Sequence, residues 1–116
     1  MTKIFIDDER FPPAGHEGDW LILRSLNEVM DYLDQLKKDT DILPECISFD
    51  HDLGEDQPSG YDIAKKLVEL DMDGIMLFPD DFTWIVHSMN PVGGENIDKI
   101  LHSYMEFRKH YYNEGF

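Results

Sequence analysis

The sequence predicts one α/β domain with a mainly parallel sheet of about four strands. Short apolar runs alternate with segments of helical period from one end of the chain to the other. The runs Ile4-Phe5-Ile6 and Trp84-Ile85-Val86 are continuously apolar, the pattern of strands covered on both faces. A length of 116 residues suits a single domain, 1–116.

Each element has its own signal. Lys3–Asp7 reads as a buried strand that ends in acids. Arg10–Asp19 holds Pro12, Pro13, Gly15 and Gly18 and reads as a loop. Trp20–Arg24 is a second strand. Ser25-Leu26-Asn27-Glu28 predicts a capping box, and Leu26, Val29, Met30, Leu33 and Leu36 then mark one helix face. Lys37 and Lys38 suit the end of that helix dipole. Cys46–Asp50 is a third strand, and Leu53–Gly60 a loop. Ser59 and Asp62 form a second capping signal ahead of Ile63, Ala64, Leu67, Val68 and Leu70. The stretch Asp71–Asp81 has no clear period. Thr83–His87 is a fourth strand. Asn90-Pro91 opens a last helix, whose face is Ile97, Ile100, Leu101, Tyr104, Phe107 and Tyr111. Right-handed crossovers place the Lys3 strand between those of Trp20 and Cys46, in the order 2-1-3-4.

Composition excludes several classes. A net charge of −15 argues against an extended nucleic-acid groove, since phosphate contacts drive such binding. No apolar window is long enough to span a membrane, and the N-terminus carries no export signal, so a cytoplasmic location is expected. The single cysteine, Cys46, excludes an internal disulfide and reads as a core residue.

The chemistry sits at strand ends. The first strand ends in Asp7-Asp8-Glu9-Arg10, the third in Asp50-His51-Asp52, and the fourth in His87-Ser88-Met89-Asn90. Ligands of open α/β sheets bind outside the carboxyl ends of the strands, and parallel strands put all three clusters on that edge. Asp7, Asp8 and Asp50 are candidate ligands of Mg²⁺ or Mn²⁺, which prefer hard carboxylate oxygens. His51 and His87 are candidates for general base and general acid, because imidazole titrates near neutrality. Asp52 is a candidate to orient a histidine or to complete a metal shell. Asn90, Pro91, Val92, Gly93 and Gly94 suggest a phosphate cradle at a helix start. Ser88 could donate to a phosphate oxygen, and Arg10 or Arg24 could clamp phosphate. His16, His102 and His110 read as surface or packing residues.

These residues resemble a known family. The acids after the first and third strands are similar to those of response-regulator receiver domains. Asp7-Asp8-Glu9-Arg10 with Pro12 and Pro13, Ser48 through Gly54, Gly60-Tyr61-Asp62, and His87 through Gly93 more closely resemble one divergent branch, the cyclic-phosphate processing receiver-like domains of bacteria and their phages. The resemblance implies a receiver-like (flavodoxin-like) three-layer sandwich. It further implies hydrolysis of a cyclic phosphate, either left by RNA processing and repair or made as a nucleotide signal. His51, His87, Asp50 and Asp52 would then be catalytic. Arg10, Ser88, Asn90 and Gly93 would bind substrate, and Asp7, Asp8 and Asp50 would bind metal.

Ordinary receivers also carry a fifth strand ending in a lysine that contacts the phosphoryl group. None follows Asn90 here, and His51 lies between two acids. Both features weaken a phosphorelay role. Two other classes remain open at the level of sequence. One is an inactive receiver-like module that binds a partner through Tyr104, Phe107, Tyr111 and Tyr112. The other is an acidic, phage-type inhibitor.

Overall fold

The computed structural model describes residues 2–114. Its sheet has four parallel strands, β1 (Lys3–Ile6), β2 (Leu21–Leu23), β3 (Cys46–Phe49) and β4 (Thr83–Val86), in the order β2-β1-β3-β4. Three helices follow the last three strands: α1 (Leu26–Lys37), α2 (Gly60–Met72) and α3 (Pro91–Glu114). This is the receiver-like α/β arrangement, with the strand order that right-handed crossovers dictate.

The helix starts are set by short-range chemistry. Ser59 Oγ accepts from the Asp62 N–H, and the Asp62 carboxylate accepts from the Ser59 N–H, a complete capping box for α2. At α1 the box is half made. Ser25 Oγ accepts from the Glu28 N–H, but the Glu28 carboxylate accepts from the Arg24 N–H instead of that of Ser25. Asn90 caps α3, its Oδ1 accepting from the Gly93 N–H at 2.9 Å.

Period-2 alternation sorts the strands into two faces. Ile4, Ile6, Leu23, Ile47 and Phe49 point to one side and share a core with Val29 and Leu33 of α1, Ile63 and Leu67 of α2, and Ile97 and Leu101 of α3. The β2-to-β3 and β3-to-β4 crossovers run in the same direction across the sheet, so both place their helix on this side, and α3 packs against α2.

The other face departs from the expected three layers. The β1–β2 connection is a loop with a short 3₁₀ turn at Glu17–Asp19, not a helix, so among the described residues no helix covers that face. An aromatic row lies there instead. The Phe5 ring packs edge-on to Trp20 and face-to-face on His87, with centroids 4.3 Å apart. Ile85 on the same face stays 49% exposed.

Residues 71–81, which carry no period, close the base of the sheet. Ile42 and Leu77 form a parallel bridge, while Met76 and Phe78 are buried. The buried Asp71 carboxylate ties this segment together by accepting from the Phe78 N–H and the Tyr104 hydroxyl and pairing with Arg108. Phe107 and Tyr111 continue the α3 stripe beyond the core and are exposed, and the Tyr112 side chain lies outside what the structure describes. Cys46 is half-buried in β3 and free.

Candidate functional site

Sheet hydrogen bonds run one step past the strands and fix the polar ends side by side. Asp7 N–H donates to Leu23 O, Asp50 N–H to Ile6 O, and His87 N–H to Phe49 O. Asp7, Asp50 and His87 are thus brought to one edge, as expected.

Asp7 is the anchor of this edge and is fully buried. Its Oδ1 accepts from the backbone N–H groups of Glu9 and Arg10 at 3.0 and 2.8 Å. Its Oδ2 accepts from Arg10 Nε at 2.9 Å and lies 3.1 Å from His87 Nε2. Burial alone would raise the Asp7 pKa, but these backbone donors, His87 and the Arg10 charge outweigh it, and the carboxyl titrates below its ordinary range.

Arg10 spans the two buried acids, with its Nη2 3.3 Å from Asp50 Oδ1. Arg24 does something different from the expected phosphate clamp. Its Nη1 donates to the carbonyl oxygens of Asp7 and Arg10, so it braces the loop from behind.

The two histidines have opposite surroundings. His87 has both ring nitrogens engaged, Nε2 with Asp7 and Nδ1 with Ser48 Oγ at 2.6 Å. Burial pushes its pKa down despite the acids beside it. His51 has Nδ1 2.9 Å from Asp52 Oδ1, and its Nε2 has no hydrogen-bond partner among the described residues. Its bond to Asp52 lowers the pKa of that carboxyl. Asn90 Nδ2 lies 3.5 Å from both Asp52 Oδ2 and His51 Nδ1.

The helix start does not form the open anion cradle expected of it. The Gly93 N–H is taken by the Asn90 side chain and the Gly94 N–H by the Asn90 carbonyl. The expected substrate contact from Gly93 is therefore replaced by another function, room for His51. A Cβ on Gly93 would lie 2.3 Å from His51 Cγ. Ser88 Oγ accepts from the Asn90 N–H and so shapes the turn into α3.

Two residues quoted in the family resemblance, Gly60 and Ser48, have no role of their own in the sequence reading. Gly60 is needed because a Cβ there would meet the Asp50 carbonyl oxygen at 1.8 Å. Ser48 touches His87 from within β3. Its one signal is a hydroxyl in an otherwise apolar strand, Cys46-Ile47-Ser48-Phe49.

In front of these groups is an open cleft of about 680 Å³, lined by Asp8, Glu9, Arg10, Asp50, Asp52 and Met89, among others. One carboxylate oxygen from each of Asp7, Asp8 and Asp50 falls within 4.8 Å of the others. The donor set is all hard oxygen and fits Mg²⁺ or Mn²⁺ in type. Asp8 and the Asp50 Oδ2 are unengaged among the described residues. Asp7 already meets four donors, about the capacity of a carboxylate, so it can take a cation only where Arg10 or His87 yields.

A search of curated proteins returns no match, and a search of solved structures returns none. The family model described as the cyclic-phosphate processing receiver domain matches residues 2–103. That span takes in all four strands, the acids, both histidines and the start of α3, and the chain belongs to the cyclic-phosphate processing receiver domain family.

Proposed function

We propose that the protein is a phosphodiesterase that opens a cyclic phosphate ester to a monoester. The observation that carries this reading is the state of His51. Ionised Asp52 can only accept a hydrogen bond, so the proton of a neutral His51 sits on Nδ1. This leaves Nε2 as a bare, basic nitrogen. The residue lies between Asp50 and Asp52, both of which line the cleft.

On this reading His51 Nε2 takes a proton from the attacking water, and Asp52 holds the ring in place by accepting from Nδ1–H. The water oxygen bonds to phosphorus as one ring P–O bond breaks, the leaving oxygen takes a proton from solvent in the open cleft to become a hydroxyl, and His51 returns its proton to solvent. Arg10 is half-exposed and can turn its guanidinium to a phosphate oxygen. Ser88 and Asn90, beside cleft-lining Met89, would be further substrate contacts. Asp8, Asp50 and Asp7 would hold Mg²⁺ or Mn²⁺, which when bound supplies positive charge to an acidic cleft. His87, with both nitrogens engaged, serves the acids and not the substrate. The substrate class is a small or RNA-derived cyclic phosphate.

Phosphorus NMR tests the reading directly. Wild type and His51→Ala are incubated with a panel of cyclic phosphates, each with Mg²⁺, Mn²⁺ or chelator. Conversion of a cyclic resonance to a monoester by wild type, slowed about 10²- to 10⁴-fold in His51→Ala, is expected. Equal conversion by both proteins would remove His51 from the mechanism. No conversion of any panel member by folded wild type would overturn the assignment.

A further inference from the structure

We infer that Ser48 is a positioning residue, whose hydroxyl holds His87 as the Nε2–H tautomer so that His87 clamps the Asp7 carboxylate. The inference rests on the reading that Asp7 belongs to the working site.

The argument is one of donors and acceptors. Both oxygens of Asp7 face donors: two backbone N–H groups on Oδ1, and Arg10 Nε on Oδ2. A carboxylate so surrounded is an acceptor only, so the His87 Nε2 at 3.1 Å must carry the proton. The other ring nitrogen faces Ser48 Oγ at 2.6 Å. Ser48 is buried, and His87 Nδ1 is the one acceptor its hydroxyl meets among the described residues. A buried hydroxyl without an acceptor is costly, so Ser48 donates and Nδ1 receives. The chain therefore runs Ser48 Oγ–H to Nδ1, then Nε2–H to Asp7 Oδ2.

Packing fixes the same ring. His87 leaves the end of β4, yet its imidazole stacks on Phe5 of β1, with β3 between them. The small Ser48 of β3 lets the ring lie across that strand. A side chain as large as leucine at 48 would lift it off both Phe5 and Asp7, whereas one further methyl group leaves the hydroxyl and the ring in place. His51 holds the opposite tautomer, Nδ1–H, because its carboxylate partner faces Nδ1. One site thus holds two imidazoles set in opposite senses by two neighbours, Asp52 and Ser48.

The test is nitrogen-15 NMR of the histidine rings in metal-free wild type, Ser48→Ala and Ser48→Thr at neutral pH. In wild type, His87 should show a protonated Nε2 and a bare Nδ1, and His51 the reverse. Ser48→Ala should redistribute the His87 tautomers, with signal moving from the Nε2–H to the Nδ1–H form. Ser48→Thr keeps the hydroxyl and should restore the His87 pattern. A wild-type His87 protonated on Nδ1, or a Ser48→Ala spectrum identical to wild type, would overturn the inference. The spectra need no substrate. A correct tautomer pattern in a protein that opens no cyclic phosphate would therefore count against the proposed reaction and not against the role of Ser48.

Discussion

Replacing Gly93 with alanine should separate stability from activity. The new Cβ would fall 2.3 to 2.7 Å from His51 Cγ, Cδ2 and Nδ1, closer than any van der Waals contact. Gly93 lies in the first turn of α3, so the backbone is held and the His51 ring must rotate away. That rotation breaks the bond to exposed Asp52, a loss of about 0.5–1 kcal/mol. Alanine in place of glycine returns up to about 1 kcal/mol of helix propensity. The two nearly cancel, so the melting temperature should move by no more than a few degrees. On the proposed reaction, turnover should fall about 10²-fold or more, because the imidazole loses the seat from which it would act as base. Gly94→Ala is the control, since its Cβ meets only Val86 Cγ1 at 3.0 Å and Ser88 Cβ at 3.6 Å. The assay pairs thermal melts with phosphorus NMR of cyclic-phosphate opening. Full turnover in Gly93→Ala, with the His51 ring spectrum changed, would refute the claim that the seat of His51 matters.

The remaining perturbations act on the frame of the site. Gly60→Ala drives a Cβ into the Asp50 carbonyl oxygen and should cost about 3 kcal/mol or more, read as a lower urea midpoint. Asp7 has a lowered folded pKa, so its contribution is fully present above the unfolded carboxyl value and is lost as pH falls through the folded one. Urea midpoints of wild type should therefore drop more steeply below about pH 4 than those of Asp7→Asn; parallel curves would contradict this. Tyr104→Phe removes one bond to buried Asp71 and should cost about 1 kcal/mol. Asp71→Leu removes the acceptor of the Phe78 N–H and one of the two acids beside Arg108, and should cost about 1–3 kcal/mol by the same measurement.

The fold was legible because its signals are local and redundant. Alternating apolar runs, the Ser59–Asp62 box and the Asn90-Pro91 start each name an element without help from the rest of the chain. Crossover handedness put the first strand at the centre, and the receiver-like pattern gave the rest of the strand order. The missing layer was harder to read, because Phe5 and Ile22 look like residues awaiting a helix and are met instead by Trp20 and His87 or left partly open. Convergence of the acids on one edge was legible for the same reason as the topology. Hydrogen-bond partners were not, since they depend on where side chains point. Nothing in the spacing distinguishes His51 from His87, or an Arg24 that faces substrate from one that braces a loop. The stretch 71–81 carried no period because Asp71, Tyr104 and Arg108 order it through contacts that span α2 and α3.

Charge, more than shape, sets what the cleft can accept. Its walls carry the carboxylates of Asp8, Glu9, Asp50, Asp52 and Glu55 against the single guanidinium of Arg10. That guanidinium is already shared between Asp7 and Asp50. Each carboxylate within 4 Å of a phosphate oxygen repels it by about 4 kcal/mol at an effective dielectric of 20. One arginine offsets few such pairs, so phosphate binding in this cleft is expected to depend on a further cation. Binding of a cyclic phosphate, followed by phosphorus line width with inactive His51→Ala, should be undetectable in chelator and appear on adding Mg²⁺. Removing one carboxylate by Asp8→Asn should weaken Mg²⁺ binding while easing the repulsion of the anion. Equal binding with and without the cation would mean that Arg10 swings free of both acids and meets the phosphate alone, and the site would then work by arginine and histidine without a metal.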